Sequence, residues 1–193
     1  YAGSSLKIIG NDIVLALAPP SITSGLAADA TYNVPFNYSI AATNHPTSFS
    51  ASGLPAGLTL DPSSGIISGA PTAVGNFPVI ITASNGAGTG TASLTIAVAK
   101  AVAAVTLNDL NGVYDGTAKT VSAVTSPSGL SVVLSYNGQS LAPTAAGTYT
   151  VGATVDDPNY TGSSTGTLVI AQAPASVAFS NLSQTYTGSA LNV

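Results

Sequence analysis

The chain repeats itself at a fixed spacing, and that spacing constrains every fold it can take. Residues 105–121 (VTLNDLNGVYDGTAKTV) align without a gap to residues 177–193 (VAFSNLSQTYTGSALNV) at an offset of 72, with six of 17 positions identical. The pairs Tyr114/Gly116 and Tyr186/Gly188 fall in register. Residues 71–79 (PTAVGNFPV) and 143–151 (PTAAGTYTV) recur at the same offset, with five of nine identical. Residues 92–99 (ASLTIAVA) then match 166–173 (GTLVIAQA) at an offset of 74, and the two extra residues fit a loop around Asp156–Gly162. The expected map has four parts. Residues 1–19 are the tail of an upstream β module, 20–99 one complete module, 100–173 a second, and 174–193 the truncated start of a third. The boundaries fall at Pro19-Pro20, Ala97–Ala104 and Ala171–Ala175, linkers too short for free jointing.

Within the modules the apolar period is two. Val34, Phe36, Tyr38 and Ile40 alternate with polar residues, and so do Phe77, Val79, Ile81 and Ala83. Leu94, Ile96 and Val98, then Tyr149, Val151, Ala153 and Val155, then Leu168 and Ile170, continue the pattern. Pro35 donates no ladder hydrogen bond, which suits an edge or a strand start. Turn signals separate the runs at residues 53–57, 61–65, 85–86, 137–138 and 157–159. No window has a helical period. Short strands at this spacing predict an all-β fold of tandem sandwiches in an extended array.

Composition narrows the chemistry. Of 193 residues, 3 are Lys or Arg and 7 are Asp or Glu, so 5% are charged against ~25% in ordinary domains. There is no Glu, Arg, Cys, Met or Trp, and His45 is the single histidine. Thiol nucleophiles, disulfides and Cys-based zinc sites are excluded. A net charge of -4 with three lysines argues against nucleic acid as a partner. The longest dense apolar run, Ile13 to Pro20, falls well short of the ~20 residues a spanning helix needs, so no membrane insertion of this segment is expected. Val, Ile, Thr and eight Tyr distinguish the chain from disordered sequences. A chain starting at Tyr1 reads as a processed piece or a fragment.

Several resemblances fit this pattern. Residues 52–98 resemble the bacterial He_PIG family of Ig-like, cadherin-like domains. The matching pieces are Leu54-Pro55-Ala56-Gly57-Leu58, Gly65-Ile66-Ile67-Ser68-Gly69-Ala70-Pro71 and Gly75-Asn76-Phe77. Residues 104–173 are similar to the MBG repeat family of bacterial surface proteins, through Tyr114-Asp115-Gly116, residues 143–151 and Asp157-Pro158-Asn159-Tyr160. Residues 1–17, above all 10–15, resemble the end of an autotransporter-associated β-repeat. Gly147-Thr148-Tyr149-Thr150-Val151 is similar to an immunoglobulin F strand, which implies that the Tyr149 hydroxyl bonds backbone at a sheet corner while Phe77 cannot. The resemblances imply large secreted or surface-anchored proteins built of β modules, with no catalytic site to carry over. A β-grasp, with a helix across its sheet, or another small β fold is the alternative for the MBG-like module.

Candidate sites are few. Gly162-Ser163-Ser164-Thr165-Gly166 has the spacing of a hydrolase elbow, but an elbow needs a strand before it, a helix after it, and His and acid partners. His45, in Asn44-His45-Pro46, has no second ligand for zinc and reads as a turn residue. Calcium is the ion the residues come nearest to supporting, through Asp109, Asp115, Asp156 and Asp157, and cadherin-like relatives hold it at module junctions. Asp61 and Asp157 precede proline, where Asp opens turns. Tyr160 is the best candidate for an exposed sugar platform, although a loop-packing Tyr is commoner, whereas Tyr38 and Tyr149 read as core. No catalytic, cofactor or metal residue is therefore assigned. The expected role is a non-catalytic stalk or spacer of an extracellular bacterial surface or secreted protein, whose partners are its neighbouring modules. Two alternatives stand: an adhesin or carbohydrate-binding module that takes a glycan or host-cell ligand, and an accessory region of a secreted enzyme.

Overall fold

In the computed structural model, the residues described are 4–9, 12–179 and 188. Among them there are seventeen strands and no helix. None of the described residues forms a helix long and apolar enough to cross a membrane. The chain divides into two compact units, Tyr1–Thr106 with Ala123–Val133 and Ala153–Ser164, and Leu107–Ser122 with Leu134–Gly152 and Thr165–Val193.

Strands β1 (Ser4–Ile9) and β2 (Asp12–Leu17) pair antiparallel. Seven strands follow: β3 (Ala27–Thr31), β4 (Phe36–Ser39), β5 (Ser48–Ser52), β6 (Leu58–Asp61), β7 (Ile66–Gly69), β8 (Gly75–Asn85) and β9 (Gly88–Ala99). They form a four-stranded sheet in the order β3-β9-β8-β5 and a three-stranded sheet in the order β4-β7-β6. Period-two alternation decides which faces meet. Val79 and Ile81 of β8, Leu94 and Ile96 of β9, and Ile67 of β7 are wholly buried together in one core. Phe36 and Tyr38 of β4 and Phe49 of β5 pack against it. Each such side chain contributes about 1.5–3 kcal/mol through burial, so this module is held by its core without any cross-link. Pro35 precedes an edge strand, as its missing N–H requires. Val34 departs from the expected alternation. Its N–H donates to the Thr31 carbonyl in a turn where Asn33 has φ 55°, and its side chain is 45% exposed.

The next strands are β10 (Ala101–Val102), β11 (Ala104–Asn108), β12 (Asn111–Val113), β13 (Ser122–Ser126), β14 (Val132–Tyr136), β15 (Gly147–Val155), β16 (Tyr160–Thr161) and β17 (Ser163–Ala171). They form a four-stranded sheet β12-β17-β15-β14 and the pairs β11-β13 and β10-β16. The plan matches the preceding module: a short early strand runs parallel to the last long one, β3 to β9 and β12 to β17. In the second compact unit Val121, Tyr136, Val151, Leu168 and Ile170 form the core, with Leu107, Leu110 and Tyr149 against it. The Tyr136 hydroxyl accepts the buried N–H of Val121 at 2.9 Å. No helix lies across the sheet among the described residues, so the β-grasp alternative falls.

Candidate functional site

The residues that sequence reasoning singled out are mostly committed to the fold. Tyr149 donates to the Ala145 carbonyl at 2.9 Å, closing the sheet corner as expected, while Phe77 packs on its core with no such group. The Tyr38 hydroxyl donates to the Gly25 carbonyl at 2.6 Å and lies 2.8 Å from the Ser24 hydroxyl. Asp61 Oδ1 accepts the N–H groups of Ser63 and Ser64, and Asp157 Oδ1 those of Asn159 and Tyr160, so both carboxylates build turns. The hydrogen bonds from Ser63 and Ser64 lower the Asp61 pKa. Asp115 accepts Lys119 Nζ at 2.6 Å and both the N–H and hydroxyl of Thr117, which together hold its carboxyl well below the usual range. Asp109 accepts the Ser122 hydroxyl. Among the described residues, no three His, Cys, Asp or Glu side chains converge on a point where an ion would sit.

The elbow-like motif is a strand. Ser163 and Ser164 open β17, no helix follows, and both glycines have packing reasons. A Cβ on Gly162 would stand 2.2 Å from the Ala103 carbonyl oxygen, and one on Gly166 would stand 3.0 Å from a Leu107 methyl. His45 is exposed in a turn where it and Asn44 both have positive φ, 51° and 60°. Asn44 and Asn85 tie that turn to the incoming chain, through the carbonyls of Pro19 and Ala18.

Tyr160 takes the commoner, loop-packing role. It is half-buried, and its ring meets Tyr32 edge-on, with centroids 5.4 Å apart and planes at 79°. Such a pair is worth about 0.5–1.5 kcal/mol beyond area burial. The contact belongs to a set within the first compact unit. Lys100 alone separates β9 from β10, and its Nζ donates to the Asp157 carbonyl at 2.7 Å. Ala101 N–H donates to the Asn159 carbonyl and Ala103 N–H to that of Thr161, making β10 a parallel partner of β16. Tyr32 carried no sequence signal, because it sits just past a strand end with no motif around it. Lys100 was legible only as linker.

Two open grooves lie in the second unit. One, of about 460 Å³, includes Tyr136 and Tyr149, whose hydroxyls are already committed, and the 83% exposed Leu141. The other, of about 520 Å³, is lined by Tyr114, Ala145, Ala146, Gln172 and Ala173. Tyr114 is 43% exposed there.

Comparison with known proteins matches two consecutive stretches of the chain to two families. The MBG domain model matches residues 103–174, and the Putative Ig domain model matches residues 13–99. No curated protein matches the chain. Among solved structures, the chain is similar to a putative alpha-galactosidase from Bacteroides fragilis, at 34% identity and a TM-score of 0.40, over 44% of this chain and 19% of that one. It thus spans about a fifth of that protein's length. It is also similar to the titin domains z1z2, at 17% identity and a TM-score of 0.48, over 83% and 100% of the two chains. Human protocadherin-24 EC1-2 follows at 15% identity and 0.43, over 80% and 99%. The chain therefore carries a Putative Ig domain followed directly by an MBG domain, on an all-β fold.

Proposed function

We propose that this chain is a non-catalytic spacer segment of a bacterial surface or secreted protein, acting outside the cell. Its work is mechanical. Each module adds length, and the join between modules limits how far one can swing against the next. The observation that carries this reading is the single residue, Lys100, between β9 and β10, with β10 hydrogen-bonded into the module that follows. A linker built as a strand loses the freedom that a Gly/Ser tether keeps. The chemistry of the side chains agrees. The hydroxyls of Tyr38, Tyr136 and Tyr149 and the carboxylates of Asp61, Asp115 and Asp157 are spent on backbone or neighbouring side chains. A surface of Thr and Ser with few charges stays hydrated across salt conditions.

The test is direct. The 193-residue chain, labelled at its N-terminus, is applied to a glycan array and to intact host and bacterial cells. The spacer reading expects no saturable binding at concentrations up to ~100 μM, a level at which a working lectin site is occupied. Saturable binding to one glycan class would replace the spacer with the adhesin reading.

A further inference from the structure

The joint at Lys100 has a counterpart in the sequence after β17. Thr31↔Ala99 is the last rung of the parallel ladder between β3 and β9, and the next residue, Tyr32, donates its N–H to the Ala99 carbonyl at 2.9 Å. Val113↔Ala171 is the last rung between β12 and β17, and the next residue, Tyr114, donates its N–H to the Ala171 carbonyl at 2.9 Å. Ala99 and Ala171 are 72 residues apart, the spacing of the repeat. Measured from where the exit strand ends, Tyr114 therefore occupies the place of Tyr32. Tyr32 is covered by Tyr160. Tyr114 instead lines the open groove with Ala145, Ala146, Gln172 and Ala173.

We infer that this groove is the socket for the next module, and that its occupant is the tyrosine of an Asp-Pro-Asn-Tyr loop in a second MBG-type copy. Three features beyond the groove support that occupant. Residues 177–193 already repeat 105–121, so the chain enters such a copy. Ala173-Pro174-Ala175 stands where Ala101-Val102-Ala103 stands in the first joint. There the N–H groups of Ala101 and Ala103 donate to the Asn159 and Thr161 carbonyls, and Val102 between them supplies no N–H to that pair. The proline thus falls on the one position that needs no donor. Gln172 takes the place of Lys100, and its amide can donate to the loop carbonyl that Lys100 reaches in the first joint.

The inference deepens the spacer reading and rests on it. The test extends the full chain by joining a second copy of residues 122–173 behind Val193, in the register set by Val121 and Val193. Since the chain has no cysteine, Ser140→Cys and the same change in the appended copy accept spin labels cleanly. The expected result is one narrow interspin distance. Tyr114→Ala, or Tyr160→Ala in the appended copy, should lower the docked to undocked ratio about threefold to tenfold, the worth of an edge-to-face pair. Tyr114→Phe, which keeps the ring, should leave the distribution narrow. A broad distribution in the unsubstituted tandem, or a narrow one that neither alanine variant changes, overturns the socket. Circular dichroism of each variant confirms that both copies remain folded. A glycan ligand found on the array would defeat the spacer reading without altering this distance, so the two failures are separable.

Discussion

Gly69→Ala gives the sharpest test of how the He_PIG motifs act. Gly57 ends the Leu-Pro-x-Gly-Leu turn and Gly69 ends β7, and each lies in the left-handed region, at φ 90° and 129°. A Cβ on Gly69 would stand 2.1 Å from the Gly57 carbonyl oxygen, and one on Gly57 would stand 2.1 Å from that of Ala70. Two turns thus press backbone to backbone, and the motif spacing records that contact. Forcing alanine to positive φ costs about 1–2 kcal/mol. Relieving the overlap needs a backbone shift of about an ångström, which disturbs the Leu58↔Gly69 rung and the Thr72 N–H to Ala56 carbonyl bond, each worth about 1 kcal/mol. The expected loss is therefore about 3–4 kcal/mol, or roughly 12–30 °C in Tm for a module of this size. The control is Gly86→Ala, in the β8–β9 turn, where a Cβ meets nothing within 4 Å and φ is not positive. That change should be neutral or stabilise by about 0.4–1 kcal/mol. Thermal unfolding followed by far-ultraviolet circular dichroism reads both. Equal Tm values for the two variants would refute the close-approach argument.

Two further predictions concern groups inside the modules. Tyr136→Phe strands the buried Val121 N–H and should cost about 1–3 kcal/mol, whereas Tyr149→Phe removes a donor at an exposed carbonyl and should cost about 0.5–1.5 kcal/mol. Urea unfolding of the two variants checks the order, and a reversal would mean that the Tyr136 bond is not what satisfies Val121. The acid limb of stability is the second. Asp61 and Asp115 have folded-state pKa values lowered from 3.8, so their contribution is present above that value and is lost as pH falls below it toward their folded values. Unfolding midpoints measured from pH 7 down to pH 2 should hold level until about pH 4 and then decline, and Asp115→Asn should flatten that decline. A fall beginning near pH 6 would show that other groups govern it.

Much of the fold could be read from residue order alone, because period-two burial is a local signal. Val79, Ile81, Leu94 and Ile96, and their counterparts Val151, Leu168 and Ile170, all lie where alternation put them. Tyr149 was legible too, since its partner Ala145 is only four residues away. Val34 was misread because the pattern does not reveal where a strand begins, and the φ 55° turn at Asn33 intervenes. The joint was not legible. Tyr32 and Tyr160 are 128 residues apart, and Lys100 reaches a carbonyl 57 residues away. Tyr160 in an Asp-Pro-Asn-Tyr turn has the same local signature whether it faces a sugar, water or another ring. Only the pairing of β10 with β16 brings that turn to the end of β3.

The repeat length and the joint explain each other. If modules were beads on flexible tethers, drift in linker length and composition would cost little, because doubling a loop adds only about 0.6 kcal/mol to its closure. Here the linker residues are also strand residues. Inserting one residue at 101–103 would move Ala101 and Ala103 out of register with Asn159 and Thr161 and turn the next strand's apolar face outward. The spacing of 72 is thus held by hydrogen bonding at the joint as well as by the core of each module. It is kept between Ala101-Val102-Ala103 and Ala173-Pro174-Ala175 even though the exit strands themselves match at 74. β9 and β17 end 72 residues apart, at Ala99 and Ala171, so the register from one joint to the next is unchanged although the matching residues of the two strands are offset by two more.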